Sequence, residues 1–214
     1  MRTALLWAAV MAGLALMGCS SKIVEQKAVP PSGHFYLDKA ADFSSVGRVA
    51  ILELENQSVS QSDLPKVLTQ ELSDGIGKKH LFSIQSVYQA DTEWQSLELD
   101  RIKTFTIQDW AAVRKQLKVD GLIYGTIARY RSYPQFLVAL NIKMMDLRDG
   151  KLLWAIEDVW DSTDKNTELR IKEFYETQMR TGYQPMEWQV VLNSPKAFHK
   201  YVIYEVSRTL PENK

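Results

Sequence analysis

The chain has few of the residues on which most enzyme chemistry depends. It holds one cysteine, Cys19, and three histidines, His34, His80 and His199, which lie far apart. A lone cysteine excludes an internal disulfide and a cysteine-rich metal site. Histidines so scattered form no spaced metal-ligand motif. Charge of one sign is also missing, because Lys+Arg and Asp+Glu both number 26. That balance removes any electrostatic ground for a nucleic-acid partner. The chain has no Gly-x-Ser-x-Gly elbow, no Ser-x-x-Lys with its partner motifs and no phosphate loop. Gly47, Gly75 and Gly77 make no dinucleotide fingerprint, since Gly75 and Gly77 close a predicted helix and read as its termination. No catalytic residue, metal ligand or cofactor site is therefore assigned. The only long apolar run, 4–17, has roughly 14 residues where a membrane-spanning helix needs about 20.

That run follows Met1, Arg2 and Thr3 and ends at Gly18 and Cys19. A basic start, an apolar centre and a small residue before a cleavage point form the plan of a secretory signal. Leu16-Met17-Gly18-Cys19 resembles the lipobox of bacterial lipoproteins, so residues 1–18 are expected to be removed and Cys19 to carry lipid. Ser20 follows, where an aspartate favours inner-membrane retention in such proteins, so the expected address is the periplasmic side of the outer membrane. Two or more acyl chains make a firm anchor and leave the rest of the chain free to be water-soluble.

Residues 19–45 are polar and irregular around Pro30-Pro31, as in an extended spacer, with His34, Phe35 and Tyr36 placed to dock on the folded part of the chain. From 46 to 214 the pattern is that of one domain. A short apolar run centred on Val49-Ala50-Ile51-Leu52 predicts a strand buried on both faces. Leu64, Val67, Leu68, Leu72 and Ile76 mark one face of a helix, and alternation over 81–87 predicts a second strand parallel to the first. A weak helical pattern covers 91–101, and a clearer one follows Thr106 as cap. Three alternating runs at 122–130, 136–144 and 152–160, parted by Ser132-Tyr133-Pro134 and Arg148-Asp149-Gly150, predict an antiparallel meander. Residues 169–179 read as helix. Ser194-Pro195 starts a last helix that lines up Phe198, Val202, Val206 and Leu210. The expected fold is thus α/β, a mixed sheet of about five strands in which a crossover unit precedes a meander, flanked by helices.

Val49 to Leu52 with Asn56, the helix of 64–77, Phe82-Ser83-Ile84, the segment Val119 to Gly125 and the segment Met145 to Trp154 stand in an order that resembles CsgG-like lipoproteins. That family includes the curli-secretion lipoprotein's soluble domain and the activator lipoproteins of cell-wall synthases. The resemblance covers about 46–161. It implies a CsgG-like mixed sheet and a non-enzymatic role in the cell envelope. The two extra lipid-facing strands of a pore-forming member are missing, and residues 168–193 have no counterpart in the family.

Aromatic residues and arginine are enriched where interfaces carry binding energy. Tyr130, Arg131, Tyr133 and Phe136 around the first turn of the meander, and Tyr183 and Trp188 in the aperiodic stretch, are the candidate partner-binding residues. Trp154 reads as a seal between sheet and helices. The expected partners are the membrane, through the lipid anchor, and another envelope protein or a second copy of the chain. A subunit of a secretion or export complex is the alternative. A cell-wall hydrolase is a further one, which needs a carboxylate pair such as Glu53/Glu55 or Asp158/Asp161; solvated strand edges or ends explain those acids more readily.

Overall fold

The computed structural model describes residues 33–58, 63–98, 105–183 and 187–213, with 182 and 183 as backbone only. Their strands are β1 (Phe35–Leu37), β2 (Arg48–Leu52), β3 (Glu55–Asn56), β4 (Ser83–Val87), β5 (Gly121–Arg131), β6 (Leu137–Asp146) and β7 (Leu152–Asp161). The helices are α1 (Leu64–Gly77), α2 (Thr92–Ser96), α3 (Ile107–Leu117), α4 (Lys165–Phe174), α5 (Arg180–Tyr183), α6 (Val190–Asn193) and α7 (Pro195–Arg208), with a π-helical turn, Tyr175–Met179, joining α4 to α5. Among the described residues seven strands form one sheet in the order β1-β7-β6-β5-β2-β4, and β3 continues the line of β2 along β5. Five strands were expected. The two additions, β1 and β3, have three residues and two, too few to show the alternation that reveals a strand.

The parallel part is the crossover unit. β2 pairs in parallel with both β4 and β5, which makes it an inner strand, and helices cover its side chains on both faces. Val49 and Ile51 belong to the large core beneath α1 and α7, while Ala50 and Leu52 join Val113, Leu117 and Leu122 beneath α3. Burial on both sides explains why β2 is apolar at successive positions. β5, β6 and β7 form the antiparallel meander, closed at its second turn by Gly150 with φ +74°. β1 lies antiparallel on β7, and Phe43 is buried in the core. The folded body therefore begins ahead of Val46, within the stretch read as spacer.

Local capping chemistry places the helices. Thr106 accepts from Asp109 N while the Asp109 carboxylate accepts from Thr106 N, a reciprocal box at the start of α3. Ser194 accepts from Ala197 N ahead of Pro195 at the start of α7. α7 then buries Phe198, Tyr201, Val202 and Val206 against the sheet, and Trp154 donates its indole N–H to Thr209 Oγ1 at 2.8 Å.

Gly75 has a packing role in place of the helix-terminating one expected. A Cβ at Gly75 would stand 2.3 Å from Ile203 Cγ2, so the missing side chain lets α1 and α7 touch. Gly75→Ala should destabilise the fold by about 1–3 kcal/mol, despite alanine's better helix propensity. Pairing it with Ile203→Ala, which removes the blocking methyl, should give a sub-additive loss in a double-mutant cycle of urea unfolding. Additive losses would remove the contact as the reason for glycine.

Candidate functional site

α1, α4, α6 and α7 all pack on one face of the sheet. On the other face α2 and α3 cover only the β2, β4 and early β5 region, which leaves β5, β6 and β7 open beyond them. Strand alternation presents Ala139, Asn141 and Lys143 of β6 and Ala155, Glu157 and Val159 of β7 on this open face, opposite to buried Leu140, Ile142, Ile156 and Trp160. The registers align a polar row across four strands: Glu55 opposite Thr126, Thr126 opposite Asn141, and Asn141 opposite Glu157. Lys143 and Arg129 flank the row, and neither is in an ion pair among the described residues.

The rim by α2 and α3 is aromatic. Phe105 stacks on Trp110 with centroids 4.3 Å apart, and Tyr124 tilts against both at 5.2 and 5.7 Å. Burial among these rings raises the Tyr124 phenol above its ordinary pKa, so it stays protonated and remains a hydrogen-bond donor. With Trp94 the rings wall a cleft of about 1100 Å³ whose floor is the polar row. Glu53 stands at the edge, its Oε2 accepting from Gln89 N at 2.9 Å. Of the six residues singled out in the sequence, the five whose side chains are described are not part of this cleft. The reason is that the cleft draws on α2, α3, β3 and three meander strands, and no local pattern in the chain links those segments.

Each predicted residue has a definite place. β5 carries a bulge between Ile127 and Arg129, where Ala128 is the extra residue. One added residue exchanges the two faces for the rest of the strand. Arg129 therefore reaches the open face, while Tyr130 turns under α7, its hydroxyl 3.1 Å from His199 Nε2. Phe136 was expected at a binding surface and is corrected to core: it is buried and stacks on Phe198 at 5.2 Å. Arg131 donates to the Gln135 carbonyl at 2.8 Å and sits 3.5 Å from Asp161. Tyr133, at the tip of the β5–β6 hairpin, is 84% exposed. Trp188 packs partly against the core, with Lys172 Nζ 4.4 Å from its ring centre. The Tyr183 side chain and all of Cys19 lie outside the described residues.

Asp158 and Asp161 stand on opposite faces of β7, whereas Glu53 and Glu55 both line the cleft, with Glu53 tied to the loop after β4 through Gln89 N. Among the described residues no group of three or more His, Cys, Asp or Glu could hold a metal ion, and no helix is long and apolar enough to cross a membrane. Burial holds His199 down to a pKa of about 4, so it is neutral at ordinary pH.

No family model matches the chain, and no curated protein matches it. Solved structures similar to it in part include the PelC dodecamer from Paraburkholderia phytofirmans, 10% identical, TM-score 0.42, covering 63% of this chain and 86% of that one. Lipoprotein GNA1162 from Neisseria meningitidis is 13% identical, TM-score 0.43, covering 57% and 89%. E. coli LpoB in solution is 12% identical, TM-score 0.41, covering 75% and 88%. Resemblance at this level does not decide what the chain does.

Proposed function

We propose that the protein is a non-enzymatic cell-envelope lipoprotein: an α/β docking module, fixed by lipid on Cys19 to the periplasmic side of the outer membrane, that binds another envelope protein or a second copy of itself. The observation that carries the docking role is the β5–β6 tip. Tyr133 is exposed over 84% of its surface there, and Arg131 stands beside it with about half its side chain in water. An exposed aromatic ring next to a guanidinium is the pairing that dominates binding energy at protein interfaces. The hairpin behind it is paired along its whole length, so the tip is presented with little conformational freedom left to lose.

The anchor rests on the leader and on the tetrad ending at Cys19. The stretch between Cys19 and the first strand gives the domain reach from the membrane surface.

One experiment tests both halves. The full-length gene is expressed in a Gram-negative host with labelled palmitate, and the protein is photo-crosslinked from a position in the 132–136 turn in intact envelopes. Label should enter the wild type and be absent from Cys19→Ala, which should also leave the membrane fraction. One defined crosslinked species should form with the wild type and fall about tenfold with Tyr133→Ala. Label in Cys19→Ala would remove the anchor. A crosslink indifferent to Tyr133 would remove the docking role of the tip.

A further inference from the structure

The cleft on the open sheet face plays no part in the docking role of the hairpin tip, and its lining has a chemistry of its own. Its floor is the row Glu55, Thr126, Asn141 and Glu157, and its wall is aromatic, with Trp110 and Tyr124 nearest the row. We infer that this cleft binds a neutral oligosaccharide.

Three properties of the site lead there. An apolar ligand is excluded by the floor, because covering carboxylate and carboxamide groups with hydrocarbon leaves them without hydrogen bonds at a cost of about 1–3 kcal/mol each. A phosphorylated ligand is disfavoured as well, since Glu53, Glu55 and Glu157 face it with only Arg129 and Lys143 in opposition. A peptide strand has nothing to pair with: β5, β6 and β7 already spend their main-chain N–H and C=O groups on one another, and peptides that add to sheets do so at an edge. What remains is a molecule rich in hydroxyls with one apolar face.

A pyranose ring has both features. Its C–H face packs on an aromatic ring, and its equatorial hydroxyls donate to carboxylates and accept from amide, ammonium and guanidinium groups. The floor supplies acceptors in Glu55 and Glu157, donors in Lys143 and Arg129, and both in Asn141. A volume of about 1100 Å³ exceeds the ordinary pocket for one small molecule, roughly 300–1,000 Å³, and suits several linked sugars.

Glu55 and Glu157 are three strand spacings apart, roughly 14 Å between backbones, wider than the about 5–10 Å between a glycosidase's two carboxyl groups. Glu53 and Glu55 both stand at one end of the row, with Glu53 already accepting from Gln89 N. Binding without cleavage is the expected outcome.

The test uses the full-length protein in detergent on an array of neutral and charged oligosaccharides and of extended peptides, followed by calorimetry with the best ligand. Saturable binding to at least one neutral oligosaccharide is expected, weakened about tenfold or more by Trp110→Ala and by Asn141→Ala. Asn141→Ala changes a half-buried polar floor position outside the hydrophobic core, so it serves even where Trp110→Ala unfolds the protein. Tyr133→Ala should bind the sugar as the wild type does, which separates this result from the fate of the docking tip. Binding to no neutral oligosaccharide overturns the inference. So does sugar binding indifferent to Asn141→Ala, capture of peptides through Trp110, or release of shortened sugar products.

Discussion

Replacing Glu205 by alanine should cost the protein about 3–5 kcal/mol and lower its unfolding midpoint by on the order of 10 °C. Glu205 has no solvent-exposed surface and sits on α7 between two arginines. Its Oε2 is 3.1 Å from Arg170 Nε on α4, and its Oε1 is 3.1 Å from Arg208 NH1 on its own helix. The Arg170 side chain is itself only 13% exposed. Removing the carboxylate leaves a guanidinium desolvated and unpaired, which is the expensive way to break a buried pair. The measurement is urea unfolding of the wild type, Glu205→Ala and the double variant Glu205→Leu with Arg170→Leu. The double variant should recover part of the loss, because the buried Arg170 charge goes with its partner and apolar atoms fill the space, while Arg208, 18% exposed, turns to water. A single variant within about 0.5 kcal/mol of the wild type would show that Arg170 finds water without Glu205.

His199 should make the fold lose stability in mild acid, by about 3 kcal/mol in total. The residue is 6% exposed, and burial lowers its pKa from 6.5 to about 4. At neutral pH both the folded and unfolded forms carry a neutral ring, so the group contributes no pH dependence there. Between pH 6.5 and about 4 the unfolded chain takes up a proton that the folded chain refuses, and stability falls as pH falls through that window. Below about 4 both forms are charged and this contribution stops growing. His199→Gln keeps a partner for the Tyr130 hydroxyl and removes the titration. The difference between variant and wild type in unfolding free energy should therefore change in the variant's favour by about 3 kcal/mol from pH 7 to pH 4. A constant difference across that range, or an imidazole resonance titrating near 6.5, would show that the ring is charged inside the fold.

Both predictions depend on residues that carry no mark in the chain. Glu205 lies in a helix whose apolar face was legible from Phe198, Val202, Val206 and Leu210, but nothing in that spacing tells that a glutamate one position from Val206 is enclosed. It is enclosed because α4 lies across it, with Arg170 of α4 on its carboxylate, and that helix lies far from it along the chain. His199 stood in the sequence only as one of three scattered histidines with no metal-ligand spacing. It is buried because the β5 bulge turns Tyr130 under α7 to meet it.

The same bulge accounts for part of the mixed outcome among the predicted binding residues. Tyr130, Arg131, Tyr133 and Phe136 were grouped because they surround one turn. Tyr130 and Phe136 face the helical layer, where Tyr130 meets His199 and Phe136 stacks on Phe198. Only the tip, with Tyr133, stays in solvent, and Arg131 is half drawn in by Asp161 and the Gln135 carbonyl. Neighbours in a turn share an address along the chain, and the sheet then sorts them by face.

The amino-acid order alone determined the elements whose signals are local: the doubly covered strand at Val49 to Leu52, the capped starts of α3 and α7, the helix of 64–77 and the Asp149-Gly150 turn. Each depends on side-chain period or on hydrogen bonds within a few residues, and those need no knowledge of the rest of the molecule. Only the folded arrangement decided that β1 and β3 extend the sheet, that Gly75 serves helix contact and that an aromatic and polar cleft lies open on β5, β6 and β7. Those features join segments far apart in the chain, Gly75 and Ile203 being 128 positions apart, and a contact between distant segments leaves no period in either one.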